Sequence, residues 1–171
     1  MTGYGTVSTA LGIVGLLQSP HGLAAATLPQ KSKKAAVLQL HKSASRAHST
    51  LAEAPATDFA TLGEMIREYA LGIRQSFDVT LDTNGWTDFQ VSVWRATQKI
   101  PFGETRSYSW VARMAGNPRA CRAAGQALHH NPFAIVVPCH RVIGANGTLT
   151  GFGGGLEMKR RLLSLEGLNN L

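Results

Sequence analysis

One tetrapeptide, Asp82-Thr83-Asn84-Gly85, divides the chain into two stretches of different pattern and constrains the fold more than any other feature. Asp and Asn side chains bond to the backbone two residues on, and Gly accepts a left-handed conformation, so this run reads as a turn. Upstream, residues 4–28 read as strands, with apolar runs around Val7, over Ile13–Leu17 and over Leu23–Leu28. A turn at Ser19-Pro20-His21-Gly22 separates the last two. A basic helical stretch runs from Ser32 to about His41, and a polar Ala/Ser/Thr-rich segment to Thr57 reads as a loop. Leu62, Met65, Ile66 and Tyr69 recur at helical spacing and predict a helix that Gly72 ends. Asp78–Leu81 is expected to add one more strand. No internal repeat is visible.

Downstream the punctuation is helical. Asp88 is expected to cap a helix carrying Phe89, Val93, Trp94 and Thr97, which stops before Pro101-Phe102-Gly103. Ser107 caps the next, with Trp110, Val111, Met114 and Ala115 on one face and Gly116 as its breaker. Asn117 followed by Pro118 is the favoured order for starting a third helix. Two short helices separated by a glycine turn fit a helix-turn-helix. The expected fold is therefore α+β: an N-terminal sheet-plus-helix domain with linker over residues 1–85, then a mostly helical domain over residues 86–171.

Composition narrows the function classes. At 171 residues and 44% hydrophobic, the chain can bury a core in one compact domain or two small ones. The apolar stretch Leu11–Leu17 falls far short of the ~20 residues of a membrane span. No basic n-region precedes it, the first cation being Lys31, so neither a membrane segment nor a secretory signal is expected. Two cysteines, Cys121 and Cys139, make no disulfide framework and no four-ligand zinc site, which points to a reduced, cytoplasmic protein without a metal. The net charge of +7 is unevenly placed. Residues 1–88 carry seven cations against seven carboxylates, and residues 89–171 carry ten against three. A solvated basic face would account for this, but its confinement to one half tilts the reading toward nucleic acid.

On the third helix, about 100° per residue gathers Ala120, Cys121, Ala124, Ala127 and Leu128 on one side. Arg119, Arg122 and Gln126 lie on the other, flanked by Ala123 and Gly125. Cys121 thus reads as an inert core thiol. The opposite face is one central arginine among residues with almost no side chain, which lets another backbone approach closely. After Asn131-Pro132, an apolar strand-like run Phe133–Val137 leads into Pro138-Cys139-His140-Arg141-Val142. A thiol with a pKa near about 8.5 needs a base or a positive field to act as a nucleophile. His140 is not automatically that base, since sequence neighbours project differently, though one water can bridge them. Glu166, at the end of a helix built on Leu156, Leu162, Leu163 and Leu165, opposes the helix dipole, so a local partner such as a histidine would make sense of it. The loop Gly151-Phe152-Gly153-Gly154-Gly155 lacks the lysine pattern of a P-loop.

Pro138-Cys139-His140-Arg141-Val142, preceded by Asn131-Pro132, resembles the active-site signature of the O6-alkylguanine-DNA alkyltransferases. The resemblance runs from about Tyr69 to Gly167. It includes Asp88-Phe89-Gln90 with Val93-Trp94, Ile100-Pro101-Phe102-Gly103-Glu104-Thr105, Ser107-Tyr108, Arg122-Ala123-Ala124-Gly125, the glycine loop, and Leu162-Leu163 before Glu166-Gly167. Residues 1–68 match only in outline, where the family has a small domain that is ribonuclease-H-like in outline. The resemblance implies direct repair of double-stranded DNA by a monomeric, cytoplasmic, cofactor-free protein, nucleoid-associated in a bacterium or archaeon. An alkyl group moves from guanine O6, and from O4-alkylthymine, irreversibly to Cys139, once per molecule. It further implies that His140 activates Cys139 through a water, that Glu166 orients His140, and that Asn131 braces the turn. Tyr108 would protonate the base and press on the neighbouring phosphate. Arg122 would fill the gap left by the flipped nucleotide, with Arg119, Ala123 and Gln126 beside it on the DNA-reading face. The carbonyls of Cys139 and Val142 with the amide of Gly153 would hold the guanine edge, in a pocket walled by Phe152 and Gly154. Phe152 stands where the family usually has tyrosine, and Gly153 where serine is common. The zinc ligands of some members have no counterpart here.

Two other classes compete. A DNA-binding regulator or lesion sensor without chemistry would lack the active cysteine, so Cys139 discriminates against it. A thiol hydrolase would need a deacylation route and an oxyanion hole, and would leave the basic half and Arg122 unexplained.

Overall fold

The structure is a computed structural model and describes residues 3–46, 52–53 and 59–171. Its contacts form two compact units: one runs to Gly85 and includes Pro132–Val136, the other comprises Trp86–Asn131 and Val137–Leu171. Among the described residues no helix is long and apolar enough to cross a membrane.

In the first unit, β1 (Gly3–Thr9), β2 (Gly12–Ser19) and β3 (Gly22–Ala26) form antiparallel hairpins, and β4 (Ala52–Glu53) pairs parallel to β1, giving the order β3-β2-β1-β4. Gly22 closes the second hairpin at φ +130°, and a Cβ there would lie 2.4 Å from the Thr80 carbonyl oxygen, so no other residue fits. Helices α1 (Lys33–Arg46) and α2 (Ala60–Ala70) pack on the sheet. The Ser32 side chain accepts the Ala35 N–H at 3.2 Å and starts α1. Val14, Leu16, Leu17, Ala36, Leu40, Ile66 and Tyr69 are all fully buried and make this unit's core. Gly72, at φ +74°, ends α2 as its position predicts.

Three expectations need correction here. The basic helix continues past His41 to Arg46, and Ala52–Glu53 is strand, so the polar segment to Thr57 is not all loop. Its residues 47–51 and 54–58 lie outside the described residues. Asp78–Leu81 is not a strand: only Leu81 bridges Leu23, because the chain meets β3 at its first residues and then leaves through the Asp82–Gly85 turn.

The second unit contains α3 (Asp88–Gln98), β5 (Arg106–Ser107), α4 (Tyr108–Met114), α5 (Cys121–His129), β6 (Val142–Ile143) and α6 (Gly155–Leu165). Thr87, not Asp88, caps α3: its side chain accepts the Gln90 N–H while the Gln90 side chain returns to the Thr87 N–H. Trp94 is fully buried and donates from Nε1 to the Ala127 carbonyl at 3.0 Å, tying α3 to α5. Ser107 caps α4 by accepting the Trp110 N–H at 3.1 Å, and the helix buries Val111 and Ala112 while Met114 is exposed. Asn117-Pro118 does not open α5. The Ala120 N–H donates back to the Asn117 carbonyl at 3.0 Å, closing a β-turn with proline at its second position, and the helix starts at Cys121.

Phe133–Val137 is not a continuous strand. Phe133 bridges Ala26, and then Ile135 adopts φ +72° and reverses the chain. A β-branched residue there is strained by about 1–3 kcal/mol. Ile135 persists in that conformation because its side chain and those of Phe133 and Val137 are buried.

Candidate active site

The strained turn delivers the chain into Pro138 and a single 3-10 turn, Cys139–Arg141, directly before β6. The Cys139 N–H donates to the Val137 carbonyl at 2.8 Å and the Arg141 N–H to the Pro138 carbonyl at 2.9 Å, which fixes the Cys139 backbone. Asn131, just past α5, points its amide into this turn. Its Nδ2 donates to the Val137 carbonyl at 3.1 Å and to Cys139 Sγ at 3.4 Å. One side chain therefore braces the backbone and touches the sulfur.

His140 and Arg141 converge on Glu166, the residue that ends α6. His140 Nε2 lies 2.7 Å from Glu166 Oε1, Arg141 Nε donates to Oε2 at 2.8 Å, and Arg141 Nη2 donates to Oε1 at 2.9 Å. The Gly103 N–H adds a fourth bond at 3.2 Å, and Arg141 Nη1 donates to the Ile100 carbonyl at 2.6 Å. All three side chains are buried. Burial works against the Glu166 carboxylate, but the bonds from His140 and Arg141 outweigh it and hold its pKa down to about 2. The same burial lowers His140 below its ordinary value, with Glu166 pulling the other way. The imidazole is thus neutral near pH 7. With its Nε2–H given to a carboxylate, Nδ1 is the basic nitrogen.

Burial pushes the Cys139 thiol up, against the Asn131 hydrogen bond and the positive charge of Lys159. Lys159 is fully buried on α6, and its Nζ donates to the carbonyls of Val142 and Thr150. Burial lowers its pKa to about 8, so it still carries a charge at neutral pH. Its ammonium lies 6.0 Å from the Tyr108 ring centre and 5.8 Å from that of Phe152, both within cation–π range. Tyr108 Oη donates to the Gly151 carbonyl at 3.3 Å. Val142 is buried, Phe152 half-buried, and Gly153 and Gly154 exposed in a turn closed by the Gly155 N–H on the Phe152 carbonyl at 2.9 Å.

The site thus brings together Cys139, Asn131, His140 and Glu166, and Lys159 joins it to Val142, Tyr108 and Phe152. Arg122, Ala123 and Gln126 are exposed on α5, with Arg119 exposed on the preceding turn, while Ala124, Ala127 and Leu128 are buried. Cys121 is half-buried rather than packed away, because α5 begins at that residue. Sequence reasoning missed two groups. Arg141 was visible only as part of a signature. Lys159 sits three and four residues before Leu162 and Leu163, and a lysine on the apolar stripe of a helix was the available signal. Among the described residues no three His, Cys, Asp or Glu side chains gather in a way that could hold a metal ion.

Residues 88–168 match the family model for the DNA-binding domain of 6-O-methylguanine DNA methyltransferase. A methylated-DNA–protein-cysteine methyltransferase of Mycolicibacterium paratuberculosis is 56% identical over 108 residues, spanning 63% of this chain and 65% of that protein. The match to that relative therefore covers slightly less than two thirds of its length. A protein of the same name from Methanosarcina acetivorans is 53% identical over 109 residues, 64% of this chain and 69% of its own. A crystal structure of Mycobacterium tuberculosis OGT in complex with DNA superposes with a TM-score of 0.76 at 40% identity, covering 97% of this chain and 93% of that one. The identity and its extent leave no other assignment: the chain belongs to the methylated-DNA–protein-cysteine methyltransferase family.

Proposed function

We propose that this chain repairs alkylated DNA by moving the alkyl group from guanine O6, and from thymine O4, onto Cys139. The observation that carries the reading is a buried histidine held by a 2.7 Å bond to Glu166 and adjacent in the chain to a cysteine whose sulfur Asn131 contacts at 3.4 Å. The Cys139 proton passes through a water to His140 Nδ1. The sulfur forms a bond to the alkyl carbon, the carbon–O6 bond breaks, and its electron pair stays on the base, which takes a proton from Tyr108. Asn131 and the Lys159 charge favour the thiolate that burial disfavours. The thioether product offers no leaving group, so each molecule acts once.

The carbonyls of Cys139 and Val142 each accept one bond within the chain, from the Val142 N–H and from Lys159, which leaves a second lone pair on each for the guanine edge. The Gly153 amide completes that edge, Phe152 and Gly154 wall the pocket, and the Phe152 ring lacks the hydroxyl a tyrosine would place there. A guanine O6 inside the stack is out of reach, so the nucleotide flips at a cost of a few kcal/mol. Arg122 takes its place, offsetting part of that cost. Arg119, Ala123 and Gln126 lie along the duplex, with α4 and α5 acting as a helix-turn-helix whose second helix enters the minor groove. In this scheme residues 86–171 bind and react, and residues 1–85, ribonuclease-H-like in outline, support them in a monomer that works in the cytoplasm or on the nucleoid without a cofactor.

The test is mass spectrometry after mixing the protein with an oligonucleotide containing O6-methylguanine. Transfer adds one methyl mass to the peptide holding Cys139. No added mass indicates a lesion-binding protein without chemistry, and repeated turnover indicates a hydrolase; either result removes the proposal.

A further inference from the structure

The zero charge balance of residues 1–88 hides a segregation. No acidic residue precedes Glu53, whereas Lys31, Lys33, Lys34, Lys42 and Arg46 fall on or beside α1. The other cations of this part, Arg67 and Arg74, are paired with Glu64 at 2.9 Å and Glu68 at 2.7 Å. α1 turns Ala36 and Leu40 into the core. At about 100° per residue, Lys34, Leu38 and Lys42 stand in one row on the opposite side, and Lys31 lies two residues before the helix begins. All four are exposed, Leu38 at 57%.

This row runs against the helix's own electrostatics. The first turn holds no acidic residue, so Lys34 meets the positive end of the macrodipole, where a carboxylate would be stabilising. No Asp or Glu lies three or four residues along α1 from Lys34 to offset it, in contrast to the i,i+3 Glu64–Arg67 pair on α2. A face that only solvates the protein usually mixes both signs. A single-sign row that costs helix stability is the arrangement of a surface that meets an anion.

We propose that Lys31, Lys34 and Lys42 form a second DNA-contacting surface, on the first unit, which takes the phosphate backbone of a duplex without reading sequence. At ~1.5 Å per residue, Lys34 and Lys42 are ~12 Å apart along α1, a span of three to four base steps at ~3.4 Å each. A lipid surface fits less well, because α1 turns Ala36 and Leu40 into the core and, among the described residues, Leu38 is its one exposed large apolar side chain. That the polyanion is DNA rests on the repair reading above; the surface itself rests on the charge row.

The test compares the full chain with K31Q/K34Q/K42Q and K31R/K34R/K42R by fluorescence anisotropy on an unmodified duplex, from about 50 to 200 mM salt. The glutamine variant should bind on the order of tenfold more weakly, with a log–log salt slope shallower by about two to three units, since each phosphate contact contributes about 0.9. The arginine variant should keep both, and alkyl transfer from free O6-benzylguanine should be unchanged in all three proteins. An unchanged slope in the glutamine variant overturns the proposal. So does loss of binding to phosphatidylserine vesicles with no change on DNA, which would make the partner a membrane. If no methyl reaches Cys139 yet the slope still depends on these lysines, the repair reading falls and this surface stands. A wild-type chain that binds DNA with no salt dependence sinks this surface.

Discussion

Arg141 and Arg122 belong to the same compact unit, yet their surroundings are opposite. Arg141 is 5% exposed and its guanidinium is bonded inside the chain, to Glu166 and to the Ile100 carbonyl. Arg122 stands exposed on α5, beside residues with small side chains. A buried cation is held by the fold and is costly to strand without its partner; an exposed one is free to be used by something outside the chain. In the proposed function, the difference separates the part of this protein that would prepare a nucleophile from the part that would meet the nucleic acid. It also separates mutations that damage the fold from mutations that damage only an encounter.

The largest effect should come from the sulfur itself. Cys139→Ser is expected to abolish methyl transfer while duplex binding persists, and Cys121→Ser to leave transfer intact, both read by mass spectrometry and anisotropy. Loss of transfer in Cys121→Ser with retention in Cys139→Ser would reverse the assignment.

Next in size is Glu166→Gln, which leaves the Arg141 charge buried without its carboxylate. It should cost about 3–5 kcal/mol in urea denaturation. The pH dependence follows from the same groups. His140 is depressed in the folded chain, so the unfolded chain binds more protons below about pH 6.5 and stability starts to fall there. Glu166, near 2 when folded against 4.5 otherwise, contributes stability above pH 4.5 that is lost as pH falls toward 2. The wild type should therefore lose stability in two acid windows, and Glu166→Gln should lack the lower one. A variant as stable as wild type at pH 7 would mean the network does not hold this corner together.

The contrast also explains what the sequence made legible. α5's faces could be read because helical periodicity is a local rule, and Ala124, Ala127 and Leu128 are buried where the spacing put them. Ser107 was readable as a cap for the same reason. The ion network was only half readable. The unfavourable position of Glu166 at a helix C-terminus called for a partner, but that Arg141 supplies two of its bonds depends on where a 3-10 turn aims a side chain, which no spacing rule encodes. Phe133–Val137 misled because an apolar run ending in β-branched Ile135, Val136 and Val137 suits both a strand and a buried reversal. Burial, not local propensity, keeps Ile135 at φ +72°. Asn117-Pro118 misled because the same dipeptide starts helices and turns, and the choice was made by the Ala120–Asn117 bond.

Arg122 sharpens the comparison from the exposed side. If it holds a nucleotide out of the stack, Arg122→Ala should slow repair of duplex DNA strongly at saturating DNA while leaving reaction with free O6-benzylguanine almost unchanged, because a free base needs no flipping. Its thermal midpoint should match wild type, in contrast to Glu166→Gln. Equal losses on both substrates would place Arg122 in the support of the pocket.

The smallest expected effect distinguishes the two kinds of exposed arginine. Arg119 lies on the turn before α5, at the edge of the small-residue face, where a side chain meets a phosphate more readily than a base stack. A phosphate contact contributes counterion release and little else, so Arg119→Gln should make the log–log salt slope shallower by about one unit and weaken binding equally on lesion-bearing and intact duplex. The transfer rate at saturating DNA should not change, because nothing after binding depends on that contact. A wedge behaves the other way: its removal lowers the rate at saturation more than it lowers the slope. Measuring slope and saturated rate for both variants therefore gives two axes, with Arg119→Gln expected to move along one and Arg122→Ala along the other. Should both variants move together along the slope axis, α5 would present a uniform phosphate-binding face, and the extrusion role assigned to Arg122 would have no support.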